Sequence, residues 1–276
     1  MSTSPTVPSE LPADPVALRD IALATAVTAA DMVRERRRAG FGIDTKSTAT
    51  DMVTDVDRAS DRLIRELLAD ARPDDGVITE EDTEITGTTG VVWIADPIDG
   101  TTNFVYDHPP YTVSIAAVVD GMPIAGAVVE ISADDRYHAA LGAGSFRNGV
   151  RLGLDAPPPL ERAMIATGFG YDPRRRSLQA AVVGSIIDQV RDIRRLGAAS
   201  FDLCGVAVQR IDAYYEHGLG AWDLAAGQII AAEAGAAVES ILGGPPDPAA
   251  GIMAAHPALI GPLRELLVAN GVAGIV

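Results

Sequence analysis

Residues 91–104 read VVWIADPIDGTTNF, and this stretch constrains the fold more than any other. An apolar, largely β-branched run delivers Asp96 to the end of a strand. Pro97 fixes the backbone, and Asp99 follows three residues after Asp96. Gly100 then permits a close backbone approach, and Thr101-Thr102 can open a helix. Two neighbouring carboxylates repel each other unless a cation sits between them. A helix start with free N–H groups is a ready anion site. Mg²⁺ takes hard oxygen ligands and is commonly held by a few carboxylates together with substrate phosphate oxygens. The stretch suggests a metal–phosphate site. Taken alone it reads more readily as an ordinary strand–turn–helix junction with Asp99 as the helix cap, because turns of this composition are common.

The composition narrows the partners. The chain has 276 residues, 47% apolar, enough for one large domain or two packed halves around a sizeable core. Its formal net charge of -16 opposes direct binding to nucleic acid or to anionic lipid. An anionic small substrate stays open, since a bound cation inverts the local field. The single cysteine, Cys204, lies in the apolar stretch FDLCGVAV, which suits a small core residue and rules out an intrachain disulfide. The N-terminal stretch has neither a basic region nor an apolar run, so residues 1–14 are expected to be a disordered tail rather than a signal peptide. No run approaches the roughly 18 apolar residues of a membrane span. A reduced, cytoplasmic compartment is the expectation.

Periodicity predicts a helix from Pro15 to Arg38, with Asp14 as N-cap and Gly40 as the stop. A second helix is expected from Asp55 to about Leu68, with residues 42–54 as a polar loop. GVITEED and GVVWIADPIDG read as strands. TVSIAAVVDGMPIAGAVVEI reads as two strands around Asp120-Gly121, and RYHAALGAGSFRNGVRL turns at Asn148-Gly149. The proline-rich LDAPPPLER is the best boundary, giving an N-terminal half over 15–155 and a C-terminal half over 156–276. In the second half strands and helices alternate: AMIATGF, a loop carrying Arg174–Arg176, a helix from about Ser177 to Val190, DIRRLG, a helix from about Ala199 to Gln209, IDAYYEHG, a helix capped by Asp223, GIMAAH and a closing helix.

Three further features flank the opening motif. ITEED sets Glu80 and Glu81 at a strand end, AWDLAAG sets Asp223 at a helix start, and TKSTATDMVTDVD carries Asp51, Thr54 and Asp57 in a polar segment. Each has a plain reading: a solvated turn, an N-cap, a polar loop. The four together are far more specific. From about residue 15 to 270 the chain resembles the inositol monophosphatase family of Mg²⁺-dependent, lithium-sensitive sugar phosphatases. DPIDGTTNF is the strongest signature. ITEED matches the family's Gly-Glu-Glu stretch, with Thr79 where glycine is usual, and AWDLAAG matches its Trp-Asp helix start. GAGSFRNGVRL, RRLGAASFDLC and DAYYEHG fit its remaining segments.

The resemblance implies a layered αβαβα sandwich with an antiparallel-rich N-terminal half, an α/β C-terminal half and a site between them. It implies that Glu80, Asp96 and the Ile98 carbonyl hold one Mg²⁺, that Asp96, Asp99 and Asp223 hold a second, and that Glu80 with water holds a weaker third. Gly100, Thr101 and Thr102 would cradle the phosphate, and Thr101 with Glu81 would orient and deprotonate the attacking water. Gly197, Ala198, Ala199, Glu216 and Asp223 would face the substrate, with Glu216 accepting from its hydroxyls. Lys46, the only lysine, is expected on a mobile loop over the site. The implied function is hydrolysis of a small phosphate monoester, inositol 1-phosphate first. Histidinol phosphate, fructose 1,6-bisphosphate and 3′-phosphoadenosine 5′-phosphate are the rival substrates. A homodimer is the family's usual state. Some bacterial members also act in transcription antitermination, a role that would be protein-mediated in so acidic a chain, with Arg174–Arg176 as the place to look. The four histidines lack the spacing of metal ligands and receive no role.

Overall fold

The computed structural model describes residues 11–46, 52–247 and 250–275. Helix α1 (Pro15–Ala39) starts as its sequence dictates: the Asp14 carboxylate accepts from the Val16 N–H at 3.0 Å, and Pro15 opens the first turn. Leu11 and Ala13, at the end of the expected tail, pack against its core; residues 1–10 lie outside the described residues. The segment expected as a polar loop instead contains two short paired strands, β1 (Ile43–Thr45) and β2 (Met52–Thr54). All three β1 residues are exposed, so no alternation betrayed the strand in the sequence. Asp51 lies outside the described residues. Helix α2 (Asp55–Ala71) begins with a reciprocal cap: Thr54 Oγ1 accepts from the Asp57 N–H at 3.2 Å, and Asp57 accepts from the Thr54 N–H at 2.9 Å.

The first sheet has seven strands in chain order: β3 (Gly76–Thr79), β4 (Val91–Asp99), β5 (Thr112–Val119), β6 (Met122–Glu130), β7 (Asp135–Ala140), β8 (Gly144–Arg147) and β9 (Val150–Arg151). Only β3 and β4 pair in parallel; helix α3 (Thr101–Tyr106) separates β4 from β5. The Asp120-Gly121 and Asn148-Gly149 turns take positive φ at both residues, the geometry that lets a two-residue turn follow the strand twist. The second sheet is ordered β11-β10-β12-β14-β13, from β10 (Met164–Thr167), β11 (Asp192–Arg194), β12 (Ala213–Glu216), β13 (Ala237–Ser240) and β14 (Ile252–Ala255). β13 is a four-residue edge strand that the sequence reading left unassigned. Between these strands run α4 (Pro173–Ile186), α5 (Ala199–Ala207) and α6 (Ala221–Glu233), and α7 (Pro257–Ala269) follows β14. Helix α4 starts earlier than expected, because Asp172 caps the Arg175 N–H at 2.7 Å and Pro173 opens the turn. Arg174–Arg176 are therefore helical. Helix α6 starts at Ala221, and Asp223 is its third residue.

Four cores separate five layers, the αβαβα order that the resemblance implies. Residues of α1 and α2, such as Leu18, Ala26 and Ile64, pack with Trp93, Ile115 and Ile124 on one face of the first sheet. Its other face, with Val118, Val128 and Tyr137, meets Phe201 and Cys204 of α5 and Ala226 and Ile230 of α6. The opposite sides of those two helices, Leu203 and Leu224 among them, meet Tyr214, Ile252 and Ala254 of the second sheet. The far face of that sheet is covered by α4 and α7. A helix enclosed on both sides is largely apolar, and all nine residues of α5 are buried, with Ser200 and Asp202 the polar exceptions. Likewise β5 is buried along its whole length.

Helix α6 fits because glycines let it approach its neighbours. A Cβ at Gly126 on β6 would fall 2.9 Å from the Ala226 α-carbon, and one at Gly227 would fall 2.7 Å from Leu203 Cβ. Gly126→Ala is expected to cost about 1–3 kcal/mol through overpacking, read as a lower urea midpoint at unchanged m. An unchanged midpoint would mean that the β6–α6 contact yields without strain.

Candidate active site

Strand β4 ends irregularly. Its register with β5 shifts between Asp96 and Asp99, where Pro97 has no N–H to give. The shift leaves both aspartates buried at the strand end, and Asp96 accepts from the Ile98 N–H at 2.9 Å. Asp99 accepts from the N–H groups of Ala199 (3.3 Å) and Ser200 (2.8 Å) at the start of α5, and from Ser200 Oγ at 2.6 Å. Ser200 Oγ also shares a hydrogen bond with Thr112 Oγ1 at 2.7 Å. Asp223 accepts from the Gly220 N–H at 2.6 Å, at the start of α6. One carboxylate oxygen from each of Asp96, Asp99 and Asp223 lies within 4.8 Å of the others. Burial, then Glu80 and Asp99, push Asp96 well above the usual carboxylate range. Burial pushes Asp99 up to about 6, against the Ser200 hydrogen bonds that lower it. Burial and Asp99 push Asp223 well up. Such a set favours protons or a cation in its midst, and oxygen-only donors at this spacing fit a small hard divalent ion.

Two further acids stand nearby. The Lys46 ammonium contacts Glu80 Oε1 at 2.8 Å and also pairs with Glu81. Burial works against the Lys46 charge, but the two carboxylates outweigh it and hold its pKa above the ordinary value. Burial raises Glu81, with Lys46 opposing. The Thr101 hydroxyl donates to Asp57 and to the Ile98 carbonyl, both at 3.1 Å. Asp57 thus serves twice, as a cap of α2 and as the partner of Thr101; nothing in the sequence coupled those two positions.

One cleft of about 240 Å³ collects Lys46, Glu80, Asp96, Ile98, Asp99, Gly100, Thr101, Thr102, Gly197, Ala199, Glu216 and Asp223. Ala198 sits behind it, buried against Gly100, and Glu81 is reached through Lys46. Gly100 has φ +93°, and a Cβ there would lie 3.2 Å from the carbonyls of Gly197 and Pro110, so glycine alone fits. It precedes α3, whose first N–H groups have no partner within the helix. In the same cleft Glu216, pushed up to about 7 by burial, accepts from the Tyr214 hydroxyl at 2.8 Å. A Cβ at Gly168 would fall 1.9 Å from the Glu216 carboxylate. Gly168, Arg195 and Ser200 escaped the sequence reading. The GFG that follows strand β10 was the available signal for the first, and the others stand in RRLGAASFDLC, which the resemblance matches only as a segment. A larger groove of about 510 Å³ beside Met122 and Pro246 has no comparable carboxylate cluster.

A carboxylate cluster beside a helix start, set between the sheets of a layered α/β fold, defines a metal-dependent phosphatase. The model of the inositol monophosphatase family matches residues 14–269. Inositol-1-monophosphatase of Mycobacterium leprae is 44% identical over 284 aligned positions, covering 95% of this chain and 98% of its own. Nus factor SuhB of Haemophilus influenzae is 41% identical over 196, covering 70% and 73%. The crystal structure of extragenic suppressor protein suhB from Bartonella henselae superposes with a TM-score of 0.86 at 32% identity, covering 91% and 98%. This chain belongs to the inositol monophosphatase family.

The crowding of like charge gives a stability test. Asp96→Asn keeps an oxygen for the Ile98 N–H but removes one charge. Its melting temperature without metal is expected to rise by roughly 2–4 °C, while most of the Mg²⁺-dependent gain in melting temperature disappears. A full Mg²⁺ response in the variant would exclude Asp96 from the cation site.

Proposed function

We propose that the chain hydrolyses an inositol monophosphate with Mg²⁺. The observation that carries this reading is the Asp96–Asp99–Asp223 cluster beside the Gly100–Thr102 helix start. Glu80, Asp96 and the Ile98 carbonyl would hold one ion, Asp96, Asp99 and Asp223 a second, and Glu80 a weaker third. Bound there, the ions supply the positive field that the phosphate and leaving oxygen need and make water acidic enough to attack near neutral pH. The rest falls to the chain itself. The N–H groups at Gly100, Thr101 and Thr102 bind phosphate oxygens. The Thr101 hydroxyl donates its one hydrogen toward Asp57 and the Ile98 carbonyl, so its oxygen lone pairs are left to accept from the attacking water, with Glu81 as the base. Lys46 holds Glu80 and Glu81 in place. Gly197, Ala198 and Ala199 shape the wall of the cleft, and Glu216 accepts from substrate hydroxyls. Millimolar lithium sensitivity, a homodimer and a cytoplasmic location belong to the same reading. Among the described residues no helix is long and apolar enough to cross a membrane.

The decisive experiment is a steady-state panel with Mg²⁺: inositol 1-phosphate, histidinol phosphate, fructose 1,6-bisphosphate and 3′-phosphoadenosine 5′-phosphate. Inositol 1-phosphate is expected to give the highest kcat/KM, and Asp99→Asn to lose most of the turnover at saturating Mg²⁺ with the fold intact. Wild-type kcat in that variant would remove Asp99 from the metal site.

Relatives named Nus factor SuhB favour a second, protein-mediated role in transcription complexes. Arg174 and Arg176 are exposed in the first turn of α4, whereas Arg175 packs beside Gly218 and Gly170 at the cleft rim. Reversing Arg174 and Arg176 to glutamate is expected to abolish capture of transcription proteins while sparing hydrolysis. Capture that survives the reversal would place the partner surface elsewhere.

A further inference from the structure

The wall of the cleft formed by Gly197, whose carbonyl also abuts Gly100, holds a cation with no assigned role. Arg195 follows β11 and lines the cleft with Glu216, Gly168, Phe169 and Tyr171. Its guanidinium lies on the Gly197 α-carbon, where a Cβ would come within 2.3 Å of Nη1. Arg37, Arg65, Arg72 and Arg147 each bond to a carboxylate. Arg195 makes no hydrogen bond or ion pair among the described residues. A guanidinium with five free donors, held at a pocket wall, is equipped to bind oxygen atoms of a ligand.

Glu216 supplies the complement. It is only 9% exposed, and its position is fixed from two sides: Tyr214 donates to Oε2, and the carboxylate presses on Gly168. Oε1 has no hydrogen-bond partner among the described residues. An acceptor and a donor therefore line the same cleft, and the Arg195 charge acts on Glu216.

We propose that Arg195 and Glu216 form a donor–acceptor pair that reads two neighbouring hydroxyls of a polyol phosphate, which makes Arg195 a specificity-determining residue. The inference rests on the phosphatase reading above and deepens it. Glu216 and the buried Asp202 both set negative charge against Arg195. The guanidinium's field is thus partly balanced, and a second phosphate placed on it would also confront the Glu216 carboxylate. A diol satisfies both groups: one hydroxyl donates to Glu216, and its neighbour accepts from Arg195.

The test compares Arg195→Ala and Arg195→Gln with the wild type on inositol 1-phosphate, fructose 1,6-bisphosphate and p-nitrophenyl phosphate. Each kcat/KM is taken as a ratio to that for the aryl ester, which has no hydroxyls to read. Loss of a charge-assisted bond is expected to lower the inositol ratio roughly tenfold or more, mainly through KM. The bisphosphate ratio should fall no further than the inositol ratio. A fall confined to the bisphosphate would assign Arg195 to a second anion and overturn the diol. Parallel losses on all three esters would make it a support of the fold. Unchanged ratios would remove it from recognition. A wild-type protein inactive on every ester would overturn the phosphatase reading and this inference together.

Discussion

Three helix starts converge on three crowded carboxylates, two buried and one half-buried, and the architecture serves that meeting. Asp99 and Gly100 precede α3, Ala199 and Ser200 open α5, and Gly220 to Asp223 open α6. Each start brings unpaired N–H groups and the positive end of a helix dipole toward negative charge. Ala199, Ser200 and Gly220 spend such N–H groups on Asp99 and Asp223. Without them the acids would face one another across less than 5 Å with little solvent to screen them. With them, the remaining oxygens are oriented but not neutralised, which is the state that retains a demand for a cation.

That demand explains the middle layer. Two of the three helices approaching the acids are α5 and α6, which lie between the two sheets. Their N-termini reach the strand ends of β4 and β12 only if both sheets pack directly onto them. The small residues Gly126, Ala226 and Gly227 make that approach possible. Packing that looks like core repacked from alanine and glycine is thus part of the geometry of the acids.

The chemistry was more legible than the walls around it. Asp96 and Asp99 announced themselves because proline, glycine and two carboxylates coincide within five residues, and Asp223 because it stands at a helix start. The Asp14-Pro15 signal placed α1 correctly, and the same signal at Asp172-Pro173 went unused in favour of a loop. The β1–β2 pair was hidden because three exposed residues leave no periodic trace. The link from Asp57 to Thr101 spans 44 positions, and the link from Ser200 to Asp99 spans 101. Bonds of that range arise from layer stacking, which local pattern cannot encode. The overall layer order came through family resemblance; periodicity alone gave mixed α and β.

Because α5 and α6 are gripped by sheets on both sides, the cleft has no hinge at its base. Opening it by rigid-body rotation would tear two cores at once. The perimeter that borders the cleft is lined instead by Lys46, by Gly168–Tyr171 and by Gly218–Gly220. Divergence among descendants of such a chain would then be written in the shoreline, with one immobile harbour beneath many cargoes.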